Sequence, residues 1–224
     1  TSISDTQNHT TTACKIGGYG GDDADSRKFK GYISDFRIVK GATAHTVTAS
    51  PHSGSIYLNG GHVSTTASSD FTMGTGNFTI EMWFKYSSSS LSGNKYLLDL
   101  GSNGIRLTFT SGYIKAVVDH GTVQQIDYYL TNDLGSLNTT KWYHLAFVKI
   151  GTNIYLYLDG VLKGTDTNIT HNHNTNTFNL GNYGGGGSYN WQGYVSDFRI
   201  VKGKGVYTGA FSPPTGPLTT TGGT

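Results

Sequence analysis

The chain has 224 residues, a formal net charge of +2, 13% charged residues and a single cysteine, Cys14. Charge this sparse, against roughly 25% in an average globular protein, with no Lys/Arg block, excludes the electrostatic footprint of a nucleic-acid binder. One cysteine excludes an internal disulfide, and no apolar run reaches the ~18 residues that membrane insertion by a helix needs.

Tyr, Thr, Ser and Asn take the place of charges, and because Thr, Tyr and Phe favour strands the fold class is all-β. The first segment, 1–44, is read through a repeat. Gly31-Tyr-Ile-Ser-Asp-Phe-Arg-Ile-Val-Lys-Gly41 returns as Gly193-Tyr-Val-Ser-Asp-Phe-Arg-Ile-Val-Lys-Gly203, with only Ile33 against Val195 differing. Thr6-Gln-Asn-His9 matches Thr170-His-Asn-His173 at a slightly longer spacing, and at the motif's own offset Ser50-Pro51 falls on Ser212-Pro213. The spacing is too long for a solenoid repeat of about 20–50 residues and suits a whole domain. Residues 1–44 are therefore expected to be the C-terminal strands of a preceding, incomplete repeat. The chain is expected to be a segment of a longer polypeptide that starts mid-domain.

A complete domain then spans 45–218, with 219–224 as linker or tail. Short strands are predicted at Ser55–Asn59 and His62–Thr66. Phe78–Tyr86 alternates, with Phe78, Ile80, Met82 and Phe84 on one face and Thr79, Glu81, Trp83 and Lys85 on the other. Lys95–Leu100, Ile105–Thr110, Tyr113–Asp119 and Thr122–Leu130 follow, separated by glycine-containing turns. Trp142–Ile150 precedes Ile154–Asp159, and Asp159-Gly160 marks a hairpin into Val161-Leu162, since both turn residues tolerate positive φ. Thr175–Leu180 and Trp191–Val201 close the domain. Gly203–Thr208 is expected to make one helical turn, and the prolines after Ser212 end the ladder. A dozen strands in this length imply a two-sheet sandwich.

The motifs Phe71-Thr-Met-Gly-Thr-Gly-Asn-Phe-Thr-Ile-Glu-Met-Trp83, Lys141-Trp-Tyr-His-Leu-Ala-Phe-Val148, Ile154-Tyr-Leu-Tyr-Leu-Asp-Gly-Val161 and Gly193–Gly203 together resemble the laminin G-like domains of the concanavalin A-like lectin/glucanase superfamily. The closing motif with its Pro-rich tail looks most like versions in phage structural proteins and bacterial surface proteins. The resemblance implies a jelly-roll sandwich of two curved antiparallel sheets, used for binding glycans or proteins. It also raises calcium at the sandwich rim as a possible cofactor. Calcium wants six to eight oxygens, for which Asp99, Asp119 and Asp166, and the cluster Asp22, Asp23 and Asp25, are candidates without a diagnostic spacing.

Catalysis is not expected. Glycoside hydrolysis generally needs two carboxylates, whereas the chain holds one glutamate, Glu81, with no acidic partner at i+2 or i+4. Asp197 and Arg199 (Asp35 and Arg37 in the first copy) are expected to share a sheet face as a structural ion pair, with Phe198 and Ile200 turned into the core. His171 and His173 have zinc-ligand spacing, but the first copy carries Gln7 and His9 there, which favours a solvated loop. The sequons at Asn8, Asn77, Asn138 and Asn168 read as compositional.

Loops carry binding function more often than scaffolds do, and the loop before the closing motif is where the two copies diverge. In Asn182-Tyr-Gly-Gly-Gly-Gly-Ser-Tyr-Asn-Trp191, Tyr183, Tyr189 and Trp191 could stack on a pyranose ring while Asn182 and Asn190 bond its hydroxyls. The alternative is that Tyr183 and Trp191 cap the end of the sandwich. The expected function is a non-catalytic adhesion module, extracellular, at a cell surface or on a virion, in a phage tail-fibre, appendage or capsid-decoration protein. Its partners would be a glycan or cell-surface receptor and other copies of the protein. A structural repeat that stacks into a fibre or capsid is the rival reading.

Overall fold

A computed structural model describes residues 54–87, 93–101, 104–110, 112–119, 124–129, 137–184 and 189–218. The first copy of the repeat, with Asp35, Arg37 and the aspartates 22, 23 and 25, lies outside these residues. So do the boundary region 45–53 and the tail 219–224.

The described residues form twelve strands: β1 Ile56–Asn59, β2 Val63–Ser64, β3 Phe78–Tyr86, β4 Lys95–Asp99, β5 Arg106–Thr110, β6 Tyr113–Asp119, β7 Gln124–Tyr129, β8 Tyr143–Ile150, β9 Asn153–Leu158, β10 Val161–Asp166, β11 Asn179–Leu180 and β12 Gln192–Lys202. They make two antiparallel six-stranded sheets. The first has the order β1-β12-β3-β8-β9-β10, the second β2-β11-β4-β5-β6-β7. This is the jelly-roll sandwich that the sequence implies. Asp159 and Gly160 both take positive φ between β9 and β10, as the hairpin signal requires.

One core lies between the sheets. Phe78, Ile80, Met82, Phe84 and Tyr86 of β3 all point into it, against Leu107 and Phe109 of β5 and Ile114 and Ala116 of β6. The first half of the other face of β3 is also buried, which simple alternation does not foretell: Thr79 and Glu81 are fully covered, while Trp83 and Lys85 are half-buried. The cover is the segment after β12. Val206, Tyr207 and Phe211 lie with Ala146, Val148, Tyr155 and Tyr157 in a second apolar cluster. No helical turn forms over Gly203–Thr208. Instead the backbone N–H of Val206 donates to Thr79 Oγ1 at 2.8 Å, and the Thr79 hydroxyl donates to Lys204 O at 3.1 Å. Bonds to a neighbouring sheet thus replace helical ones, and the segment runs as a strap.

The closing strand keeps its expected core residues but not its expected ion pair. Phe198 and Ile200 do pack on the core. Between Ser196 and Arg199, however, β12 carries one residue more than β3 opposite it, and Asp197 takes φ 50°. Such a bulge breaks the two-residue alternation. Asp197 therefore accepts from Ser196 Oγ at 2.8 Å, and Arg199 pairs with Glu81 instead of Asp197. His173 differs as well. It is buried, with its backbone bonded both ways to Gly74 and its ring edge-on to Phe78, not in a solvated loop.

Candidate functional site

The outer face of the second sheet carries the half of each alternating strand that the core does not use. Across the sheet, Tyr96 of β4 stands beside Thr108 of β5, which stands beside Lys115 of β6, which stands beside Asp127 of β7. Arg106, Val117 and Gln125 form the neighbouring row. On this face is a cleft of about 260 Å³, lined among others by Asn94, Tyr96, Arg106, Thr108, Lys115 and Gln125. That is just under the roughly 300–1,000 Å³ of pockets for drug-sized ligands. It suits something the size of one ring with its substituents.

Three tyrosines gather at the β4 side. The Tyr96 ring lies 4.9 Å from Tyr183 and 5.7 Å from Tyr189, and the latter two are 6.0 Å apart. The loop before β12 therefore sets two of its five sequence-predicted site residues against Tyr96, beside the cleft rather than in its lining. Tyr189 is 43% exposed and Tyr183 half-buried, so both keep surface for a ligand.

The other three serve the scaffold. Trp191 is 0% exposed, wedged 4.8 Å from both Tyr86 and Phe109, and has no ring face to offer. Its alternation with Gly193 and Val195, both buried, turns it inward. Asn182 is buried, and its Oδ1 accepts from the N–H of Tyr183. Asn190 donates from Nδ2 to Gly60 O at 2.8 Å, tying the end of the loop to the β1–β2 connection. These two asparagines hold the loop rather than a ligand.

An ion pair holds the cleft's inner wall. Arg106 Nε donates to Asp99 Oδ1 at 2.8 Å, both side chains nearly fully buried. Asp99 Oδ2 accepts from the N–H of Gly184 at 3.1 Å, and Oδ1 from that of Gly101 at 3.3 Å. The guanidinium sits 4.8 Å from the centre of the Tyr183 ring, a cation–π arrangement. Asp99 thus fixes Arg106, Arg106 supports Tyr183, and the Gly184 amide anchors the loop. Burial pushes the Tyr96 hydroxyl above its usual value, against the charge of Arg106, so it stays protonated and both donates and accepts at neutral pH.

Two of the calcium candidates already have partners within the protein. Asp99 is committed to a guanidinium and two amides, and Asp166 accepts from the N–H of Thr167 at 2.8 Å. The side chain of Asp119 lies outside what is described. Among the described residues no three His, Cys, Asp or Glu side chains gather as metal ligands.

Glu81 is built into a different place, under the strap. Arg199 donates to its Oε1 from both Nε and Nη2, and Tyr207 donates to Oε2 at 2.6 Å. His144 Nε2 stands 3.3 Å from Oε2. Burial alone would raise this carboxyl; the bonds from His144, Tyr207 and Arg199, with the Arg199 charge, outweigh it and hold the group below its ordinary value. The same burial and the adjacent carboxylate push Tyr207 well up. A sealed, ionised, fully bonded carboxylate is a structural anchor and not a general acid.

Sequence reasoning missed Tyr96, Arg106, Thr108, Lys115 and Gln125. The signal was present in the alternation of β4 to β7, whose polar halves must share a face. What periodicity lacks is the order of the strands.

A laminin G family model, described as concanavalin A-like lectin/glucanases superfamily, matches residues 58–204. No curated protein matches the sequence. The binding domain of Paraclostridial mosquitocidal protein 1 is similar in structure, with a TM-score of 0.56 at 14% identity over 75% of this chain and 43% of that one. A structure reported for botulinum neurotoxin type C, whose cell entry depends on interaction with two ganglioside molecules, gives 0.51 at 20% identity over 66% and 39%. The binding domain of botulinum neurotoxin DC in complex with SialylT gives 0.52 at 16% identity over 66% and 38%. At these identities the likeness is one of fold. The chain spans about two fifths of the length of each of these three.

Proposed function

This chain belongs to the concanavalin A-like lectin/glucanases superfamily, in its laminin G group, and from that premise we propose that it is a non-catalytic module that binds a glycan in the cleft of the second sheet. The observation that carries the reading is the triangle of Tyr96, Tyr183 and Tyr189 beside a cleft lined with hydroxyl, amide and ammonium groups. A pyranose has an apolar C–H face and a hydroxyl rim, and this surface offers a partner to each. The similarity to ganglioside- and SialylT-associated toxin domains supports a sugar as the ligand class. The one glutamate is sealed beneath the strap, which favours binding over hydrolysis.

The setting we propose is extracellular, at a cell surface or on a virion, with adhesion as the task, as in a phage tail-fibre, appendage or capsid-decoration protein. Among the described residues no helix is long and apolar enough to cross a membrane. A second reading, a repeat that stacks with neighbouring copies, is favoured by the duplicated motif, because Arg199, Ser196, Asp197 and Phe198 of β12 all have identical counterparts in 31–41. A glycan array separates the two. Adhesion gives reproducible hits that fall at least tenfold in Tyr96→Ala and Tyr189→Ala, equivalent to about 1.4 kcal/mol or more. A blank array with intact, folded protein overturns it in favour of the structural repeat.

A further inference from the structure

The cleft does not stand alone on its sheet face. On the far side from the tyrosine triangle, Tyr113 of β6 and Tyr129 of β7 face each other directly across the strands, rings 5.2 Å apart, and Tyr129 is 51% exposed. Neither residue serves the core, which takes Ile114, Ile126 and Tyr128 from the same strands. Neither is used by the site described above. Between the two aromatic groups run Thr108 and Lys115, with Lys115 Nζ 5.7 Å from the centre of the Tyr113 ring.

The separation is set by the sheet. Tyr96 and Tyr129 sit three strands apart at about 4.8 Å each, which gives about 14 Å across the strands. A hexopyranose unit, built from bonds near 1.5 Å, is about 5 Å long, so the two platforms bracket about three units. The charges along the way are already matched. Arg106 is bonded to Asp99, and Lys115 lies 3.9 Å from Asp127. A carboxylated or sulfated ligand would have to compete with the protein's own carboxylates for both cations that line the cleft, whereas hydroxyls need no such exchange.

Resting on the glycan-binding reading above, we propose that the ligand is a linear neutral oligosaccharide lying across β4 to β7. One unit stacks in the Tyr96–Tyr183–Tyr189 triangle, one fills the cleft and one stacks on Tyr129. Recognition is then by length and neutrality. Tyr129 is the residue that measures length.

The test uses the full chain on an array carrying neutral homo-oligosaccharide ladders of one to six units (β-1,4-glucose, β-1,4-N-acetylglucosamine, α-1,4-glucose and β-1,3-glucose) beside sialylated and sulfated glycans, with titration calorimetry on any ladder that binds. Affinity is expected to rise at least tenfold from one unit to three and then level off. Tyr129→Ser should flatten that rise while leaving single-unit binding within about twofold, and Tyr129→Phe, which keeps the ring, should restore it. Binding independent of length, a rise unchanged in Tyr129→Ser, or hits confined to anionic glycans each overturn the inference and leave the glycan-binding reading standing. A folded chain that binds nothing on the array removes both.

Discussion

Replacing Arg199 by Met tests whether the strap is held by a buried charge pair. The substitution keeps the length of the side chain and removes the two bonds to Glu81 Oε1, leaving a fully buried carboxylate with Tyr207 as its short-range donor and His144 at 3.3 Å. Breaking one side of a buried pair costs about 3–5 kcal/mol, because the partner charge is left uncompensated. For a chain of this size each kcal/mol moves the melting temperature by roughly 2–4 °C, so a fall of about 6–20 °C is expected. The pH dependence identifies the cause. In the native protein Glu81 is held below its ordinary value of 4.5, so its contribution is present above that value and is lost as pH falls through the lower, folded one. Without Arg199 its two bonds and its charge no longer oppose burial, so the carboxyl rises relative to the native protein. The penalty of the substitution is then full at neutral pH and shrinks on acidification, as the variant's carboxyl takes up its proton first. Urea unfolding of both proteins at pH 7 and at about pH 4.5 should therefore show the gap narrowing at the lower pH. A gap that is constant with pH, or a loss under about 1 kcal/mol at pH 7, refutes the buried-charge reasoning. Glu81→Leu with Arg199→Met should recover much of the loss, since an apolar pair of similar volume often substitutes for a buried ionic one.

Three further outcomes follow from particular contacts. Gly160→Ala should destabilise by more than the ~1 kcal/mol of a routine substitution: Gly160 sits at φ 76°, and an added Cβ would stand 1.8 Å from the carbonyl oxygen of Phe211. Hydrogen exchange at 205–211 should report the strap lifting. Trp191→Ala should cost about 3–5 kcal/mol as a core truncation, while Tyr189→Ala should stay within about 0.5 kcal/mol and act on ligand affinity instead; chemical denaturation and a binding titration on the same samples check both. EDTA should leave the melting temperature and glycan binding unchanged, because Asp99 is already occupied by Arg106 and two backbone amides; a drop of several degrees would return calcium to the rim.

Features encoded within a few residues were legible. The alternation of Phe78 to Tyr86 set Phe78, Ile80, Met82 and Phe84 on the one face that proves to be the core face, and Asp159-Gly160 gave the hairpin, because each depends on local geometry alone. The facing of Phe198, Arg199 and Ile200 was legible, but the partner of Arg199 was not. A single extra residue at Asp197 breaks the alternation that would set it beside Arg199, and nothing in Ser-Asp-Phe-Arg announces a bulge. The pairing of Glu81 with Arg199 and Tyr207 joins positions more than a hundred residues apart, beyond the reach of any periodicity. Trp191 could have been recognised as core, since it alternates in step with Gly193 and Val195; its place in an aromatic, glycine-rich loop drew it toward the ligand instead.

The strap distinguishes the two outer faces of the sandwich. On the first sheet, Val206, Tyr207 and Phe211 cover Thr79, Glu81, Ala146 and Val148, so the sheet has a second buried layer and this part of its outer face is closed to ligands. The anchoring is chemical as well as apolar: Tyr207 stacks on Phe211 at 3.6 Å and delivers its hydroxyl to a carboxylate that Arg199 keeps ionised. No described segment is bonded across β4 to β7 in the same way, and Tyr96, Tyr183, Tyr189 and Tyr129 keep accessible surface there. Damage to the strap and damage to the cleft should accordingly separate in experiment. Variants under the strap change stability and its dependence on pH; variants of the four tyrosines change what is bound at nearly constant stability.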